Sequence, residues 1–427
     1  VSLLSKLRSA AIDTKPLAHA DFRRLWAGNA VSFVGFQLTA VAVPVQIFAI
    51  SGSSLWVGAL GAAALVPLIV FGLAGGTISD AFDRRTVLLI SSVVTWVSTW
   101  GLFLQALLGM HSIPLIFALV ALQSAGFAVT SPTRSAIIPR LIPMELVPSA
   151  NTLNFTASNV GTVAGPLLAG VLIAHGSYPV IYAIDAALFT FALYAALRLP
   201  AMPPTGPKSP PGLRSVIEGL AFIATRPVLL ASFAVDIVAM VLAMPRSLFP
   251  EIGADRFGGG EAVGWLFAAI SIGAVAGGLM SGWIGRIRRQ GIALLAAVAG
   301  WGVAVALSGL AGQLWLAVIL LAFAGMADLV SGVYRQTILQ VYAPDEMRGR
   351  MQGVFTVVVA GGPRLGDVRA GVVAAGFGAT ASWVGGGIAC IVVVLLVGLL
   401  VPAIRNYTSA GPTPVPATRE PAGPASS

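Results

Sequence analysis

The chain has 427 residues, of which 57% are hydrophobic and only 10% charged, and its mean hydropathy is +0.91. A soluble domain carries about 25% charged residues, so this composition excludes a water-facing globule and makes lipid the main solvent. The formal net charge of +9 requires no nucleic-acid partner, because anionic inner-leaflet lipids attract basic segments.

A helix needs about 20 apolar residues to cross a bilayer. Twelve such runs follow one another, at 24–48, 55–78, 86–108, 113–137, 148–174, 178–199, 227–250, 262–285, 290–311, 314–340, 350–376 and 379–402. The predicted fold class is an all-α membrane protein with twelve transmembrane helices in two six-helix bundles. A cytoplasmic segment, 1–22, precedes the first bundle, 23–199; a linker, 200–226, leads to the second, 227–404, and a disordered tail, 405–427, follows. The first apolar run is too long, and its lead too basic, for a cleavable signal peptide.

Span one carries the neutral polar groups Asn29, Ser32, Gln37 and Gln46, which suit hydrogen bonds to a cargo and equally to neighbouring helices. Between spans two and three stands the charged hinge Gly76-Thr-Ile-Ser-Asp80-Ala-Phe-Asp83-Arg84-Arg85. Gly76 allows helices to approach, Asp80 can accept from the positive end of a neighbouring helix, and the arginines can pair with carboxylates or phosphates. A degenerate echo begins 202 residues later at Gly278, with Gly282 in place of the acid and with Gly285 and Arg286 kept. A hinge repeated at half-length indicates internal duplication, the architecture of many secondary transporters, and the lost acid makes it a device of the first half. Span four offers Gln123. Span five holds Gly161, Gly165, Pro166 and Gly170, a spacing that permits close helix contact and a bend. Asp185 falls in span six.

Six prolines among residues 200–211 mark the linker. After it, Leu213, Val216, Ile217, Leu220 and Ile223 recur at helical spacing opposite Arg214 and Glu218, which fits a helix on the inner membrane face or a cap on the second bundle. Asp236 lies ten residues after Arg226, about 15 Å along a helix and so near the midplane. Asp328 is similarly deep in span ten. In span eleven, Gly361-Gly-Pro363-Arg364-Leu-Gly-Asp367-Val-Arg369 brings three charges into a run weakened by glycine and proline. Arg364 and Asp367 are three apart and can pair on one face, as a neutral structural pair or as a switch in which Asp367 exchanges Arg364 for a proton or an anionic substrate. Arg246 is a second anion contact in that case. Ionisable residues within spans point to function.

Of the 25 Lys and Arg residues, all but Arg246, Arg256, Arg364 and Arg369 fall in segments assigned to one side, which predicts both termini in the cytoplasm. The lone Cys390 and the scattered His19, His111 and His175 offer no metal-ligand spacing. No phosphate-binding loop is present, so no cofactor is expected and a proton gradient is the expected energy source.

The hinge resembles the loop 2–3 signature of the major facilitator superfamily, with Asp83 where that family has a second glycine. The resemblance implies that Gly76, Asp80, Arg84 and Arg85 latch the two halves in an outward-open state. It also implies that spans one, four, seven and ten line a central cavity, making Asp236 and Asp328 the preferred coupling carboxylates and Asp185 peripheral. The span-five glycines and Pro166 resemble the motif of drug/proton antiporters, although the same pattern fits ordinary packing. Most of residues 20–400 resembles the siderophore (enterobactin) and macrolide exporter branch: Val41-Ala-Val-Pro44-Val-Gln46, Ser131-Pro-Thr-Arg134-Ser-Ala-Ile-Ile-Pro139, Arg246 with Leu248-Phe-Pro250, Gln336-Thr-Ile-Leu-Gln340 and Gly349-Arg350. One departure is Val120 before Gln123-Ser124, where many drug antiporters have an arginine.

These resemblances imply a secondary efflux transporter, not an enzyme, exporting an amphipathic small molecule by alternating access with proton antiport. Asn29, Gln37, Gln46, Gln123, Arg246 and Arg364 are the candidate substrate contacts, and Asp236, Asp328 and Asp367 the candidate coupling groups. The expected setting is the inner or plasma membrane, with a small-molecule substrate and the lipid bilayer as partners and a monomer as the unit. A solute importer, or a membrane sensor or scaffold, remains open at this point.

Overall fold

A computed structural model describes residues 13–175, 178–203, 212–342 and 348–408. Its long helices are α1 (Ala20–Ser51), α2 (Ser54–Ala81), α3 (Arg84–Leu107), α4 (Ile113–Leu141), α5 (Val147–Ala174), α6 (Tyr178–Leu197), α7 (Pro227–Ala243), α8 (Gly260–Leu279), α9 (Gln290–Leu310), α10 (Leu314–Tyr342), α11 (Arg348–Phe377) and α12 (Ala379–Leu400). No strand occurs among the described residues. Eleven helical stretches of this set are long and apolar enough to cross a membrane. The remaining long helix, α11, spans 30 residues but carries Arg364, Asp367 and Arg369 within its length.

The packing repeats. In the first half α1 packs on α5 and α6, α2 on α4, and α3 on α4 and α6; in the second, α7 packs on α11 and α12, α8 on α10, and α9 on α10 and α12. The halves meet along α2–α11 and α5–α8. Lipid gives apolar side chains no reason to prefer one another, so small residues that let backbones approach determine such contacts. The backbone at Gly325 packs against the Ile270 carbonyl, and that at Gly273 against the Ala322 carbonyl, locking α8 to α10.

Among the described residues, the closest glycine approaches between the halves cluster towards one end of the molecule. A Cβ on Gly58 would stand 2.6 Å from the Asp367 carbonyl oxygen, and one on Gly371 2.6 Å from that of Ser54. On the other seam, a Cβ on Gly264 would stand 2.6 Å from the Pro166 carbonyl oxygen and 2.7 Å from Gly170 Cα. Ser54 also donates its hydroxyl to Glu251 at this end. Towards the opposite end, Gly72, Gly282 and Gly285 meet nothing within 4 Å. The bundles are therefore packed backbone to backbone, and so sealed, at the end of Ser54 and Gly264.

Three expectations are corrected. Span seven does not run to 250: α7 stops at Ala243, and an extended Met244 leads through Pro245 into a 3₁₀ turn, Arg246–Leu248, and a short helix, Phe249–Phe257. Pro245 lacks an N–H and biases its predecessor away from helix. Span eight ends at Leu279, and the echo of the hinge forms a 3₁₀ helix, Ser281–Arg286. Span eleven is not broken at its glycines, because α11 runs helically through Pro363. The linker helix, Gly212–Ala224, packs on α2 and α11. Ile223 enters the second-half core, whereas Ile217 and Leu220 are exposed, so the helix is both a cap and a surface element.

Candidate functional site

Between the halves, next to the sealed end, lies a cavity of about 270 Å³. The first half contributes Phe36, Gln37 and Ala40 from α1, Gln123 and Ser124 from α4, and Thr162 and Pro166 from α5. The second contributes Phe267 and Ser271 from α8, Arg364 and Asp367 from α11, and Arg246 and Ser247 from the break after α7. Both bundles are thus needed to form its wall. The span-five motif contributes by close packing: a Cβ on Gly161 would meet the Phe33 ring at 2.7 Å, and one on Gly165 the Gln37 Cβ at 2.4 Å.

The break in α7 places Arg246 in the cavity wall. Its Nε has no hydrogen-bond partner, and it lines the same cavity as Asp367. Asp367 accepts from the Ser247 backbone N–H at 3.2 Å, while the Ser247 hydroxyl donates to the Asp367 carbonyl oxygen at 3.0 Å. Arg364 donates to the Ala360 carbonyl oxygen, one turn earlier on its own helix, at 2.5 Å. Arg364 and Asp367 therefore do not form the expected ion pair. Asp367 is drawn to the α7 break instead, and the arginine is held by backbone.

Arg369, which carried no assigned role, has an evident structural one. It donates to the Val241 carbonyl oxygen at 3.1 Å, to that of Leu242, and to the Ser382 carbonyl oxygen at 3.1 Å. The C-terminal carbonyls of an interrupted span need partners within the protein, and Arg369 supplies them while tying α7, α11 and α12. Arg369→Ala should cost about 2–4 kcal/mol, given roughly 1.5–3 kcal/mol for hydrogen bonds to a charged group. Thermal unfolding in detergent checks this, and an unchanged melting temperature would contradict it.

A second charged group lies in the second half. Arg335 of α10 is buried; its guanidinium bonds Asp236 of α7, and Nη2 stands 3.5 Å from Asp328 of α10. Ser331 accepts from the same guanidinium at 3.4 Å. The Asp236 side chain is 3% exposed and that of Asp328 36%, so one acid is locked and the other borders open space. The sequence count that assigned Arg335 to an inner segment is corrected: it is the buried partner of Asp236 and Asp328, two of the three candidate coupling acids. The available signal was spacing, since seven residues after Asp328 is two helical turns on one face.

Other expected site residues separate. Gln37 and Gln123 line the cavity, with Gln123 donating to Thr99 at 3.3 Å. Gln46 does not line it. Gln46 exchanges hydrogen bonds with Gln105 at 3.1 and 3.3 Å and accepts from Tyr182 at 2.7 Å, in a buried knot of α1, α3 and α6. Asn29 lies off the cavity wall, its Oδ1 buried without a partner. Asp185 accepts from Thr39 at 2.6 Å between α6 and α1, outside the cavity as expected.

At the hinge, Gly76 and Asp80 fall in the helical backbone of α2, and the Asp80 side chain lies outside the described residues. Arg84 donates to the Ala136 carbonyl oxygen at 2.9 Å and Arg85 to that of Leu197 at 2.9 Å. Both contacts stay within the first half. Asp83 caps α3 by accepting from the Thr86 N–H at 2.9 Å and also accepts from the Met202 N–H at 2.6 Å. Burial pushes the Asp83 carboxyl up, but the Thr86 and Met202 amides outweigh it and hold it below the usual range. Its contribution to stability is therefore present above the ordinary carboxylate range and lost as pH falls through the lowered value.

Two bundles with the same internal packing, enclosing a charged cavity that both must build, define a membrane transporter. Residues 12–419 match the family model described as "Transmembrane secretion effector", and the chain belongs to this family of the major facilitator superfamily. Among curated proteins it is 30% identical over 403 residues to the enterobactin exporter EntS of Citrobacter koseri, covering 93% of this chain and 95% of that protein. It is 29% identical over 399 residues to that of Escherichia coli K12, covering 92% and 95%. Among solved structures, the nucleoside transporter NupG superposes with a TM-score of 0.73 at 13% identity, over 91% of this chain and 100% of that one. The D-xylose–proton symporter gives 0.67 at 15%, over 91% and 99%. A bacterial homologue of the lysosomal transporter Spinster, inward-facing and unoccupied, gives 0.67 at 15%, over 92% and 97%. The chain is thus a multi-pass membrane protein with the fold of solute transporters.

Proposed function

We propose that the chain exports an amphipathic, siderophore-like small molecule from the cytoplasm by alternating access, with protons moving inward. The observation that carries this reading is the central cavity, formed from both halves, charged by Arg246, Arg364 and Asp367, and closed at the end of Ser54 and Gly264. The similarity to relatives named as enterobactin exporters supports this direction and this cargo class. With the termini in the cytoplasm of a plasma or inner membrane, the sealed end faces outward and the described state is the one that loads cargo from inside. Apolar wall residues hold the body of the cargo, and Gln37, Gln123, Arg246 and Arg364 its polar groups.

Coupling resides in the second half. Arg335 shares itself between a buried Asp236 and a more open Asp328; protonating Asp328 leaves the arginine to Asp236 alone and changes the α7–α10 contact. Asp367, set between the arginines, links that change to the cargo site. One chain supplies both bundles, so the monomer is the transporting unit, and the proton gradient its energy source.

The test uses cells deleted for their own enterobactin exporter while still making enterobactin. Expressing this chain should lower retained enterobactin and raise it in the medium. Equal retention with and without the chain contradicts the cargo, and higher retention reverses the direction.

A further inference from the structure

The two charged spans α4 and α10 are repeats of one another, yet among the described residues Arg335 has carboxylate partners and its counterpart Arg134 has none. Each helix has 29 residues; Arg134 stands 21 residues beyond Ile113, and Arg335 21 beyond Leu314. The register is supported by packing, since Gly126 of α4 faces α3 at Thr95 while Ala327 of α10 faces α9 at Gly300. The local sequence agrees: Thr130-Ser-Pro-Thr-Arg134 stands where α10 has Ser331-Gly-Val-Tyr-Arg335.

Arg335 is held by Asp236 and Asp328. In the same register Phe127 takes the place of Asp328, α4 has no acidic residue, and α1 has none beyond Asp21. Arg134 has no carboxylate within 4 Å among the described residues, and its half-buried guanidinium leaves Nε without an acceptor. A half-buried charge with a buried unpaired N–H carries a desolvation cost, and spans one and four offer no carboxylate beside it.

Arg134 also points to what would relieve it. It shares a helical stripe with Val120, Gln123 and Phe127, of which Val120 and Gln123 line the cavity. Phe127 lies two turns, about 10 Å, nearer the cavity; it is 38% exposed and stacks on Phe36 with centroids 5.7 Å apart. An aromatic ledge thus leads from the cavity to a cation that lacks an anion.

We infer that Arg134 is an anion-binding residue of the transport route, and that the cargo class is an aromatic or amphipathic acid whose anionic group takes the place of the missing carboxylate. This rests on the exporter reading and deepens it.

The experiment compares pyrenebutyrate with the neutral pyrenebutanol by fluorescence titration of the full chain in nanodiscs of zwitterionic lipid, where no anionic headgroup competes. Wild type and Arg134→Lys should bind the carboxylate about tenfold more tightly than the alcohol. Arg134→Gln should bind both alike, with its affinity for the alcohol unchanged. A preference retained in Arg134→Gln, or absent in wild type, overturns the inference. Should Arg134→Gln fail to fold, phenylglyoxal mapping of the wild type by mass spectrometry decides. Arg134 should react and be protected by pyrenebutyrate but not by pyrenebutanol, while Arg335 stays unmodified; equal protection by both probes overturns it. Failure of the exporter reading shows separately, in the enterobactin retention assay, which uses neither probe.

Discussion

Asp236→Asn is expected to abolish transport and to lower the melting temperature far more than Asp328→Asn. Asp236 and Arg335 are 2% and 7% exposed and bonded to each other. Removing Asp236 leaves the buried guanidinium with only the more distant Asp328, and breaking a buried pair costs about 3–5 kcal/mol. Asp328→Asn should stop coupling with a much smaller loss of stability, because that carboxylate is 36% exposed and 3.5 Å from the arginine. The double variant Asp236→Asn, Arg335→Gln should recover part of the stability but none of the transport. Melting curves in detergent and transport in proteoliposomes separate these outcomes. An Asp236→Asn protein that melts like wild type would show that the pair is not the buried lock described above.

Gly264→Val should be nearly as damaging to transport while leaving each bundle folded. Its Cβ would stand 2.6 Å from the Pro166 carbonyl oxygen and 2.7 Å from Gly170 Cα, backbone atoms of the opposite half that cannot rotate away. Overpacking of this kind costs about 1–3 kcal/mol, which depopulates the sealed arrangement roughly 5–150-fold. Gly282→Val is the control, since nothing lies within 4 Å of that position. Transport by the two variants, each normalised to folded protein, checks the claim. If they transport equally well, the α5–α8 seam is not a gate.

Much of this architecture was legible from composition and spacing. Apolar runs gave the helices. The hinge at Gly76 with its echo at Gly278 gave the duplication, because a polar turn that recurs at half-length between lipid-facing runs marks a repeated unit. What escaped were features that depend on partners distant in sequence. Pro245 was visible, but that it would turn Arg246 into the cavity depends on Arg369, 123 residues later, accepting the role of capping the broken helix. Arg134 and Arg335 were counted as inner-face charges because they precede loops, whereas both lie within their helices. The Arg364–Asp367 pairing followed from helical spacing alone; the structure satisfies each group elsewhere, Asp367 at Ser247 and Arg364 at Ala360. Gln46, a neutral polar group of span one that suited either cargo or a neighbouring helix, is claimed by Gln105 and Tyr182. Local sequence supplies a side chain's reach, and the repeat partner determines what it meets.

The most direct test of coupled alternating access is proton movement driven by cargo. Purified protein is reconstituted into proteoliposomes containing a pH-sensitive dye, and an enterobactin gradient is imposed with no initial pH difference. The account predicts that protons move against the cargo, at a rate abolished in Asp328→Asn and in Gly264→Val but kept in Gly282→Val. Enterobactin movement with no dye response, or the same response in Asp328→Asn, would contradict it.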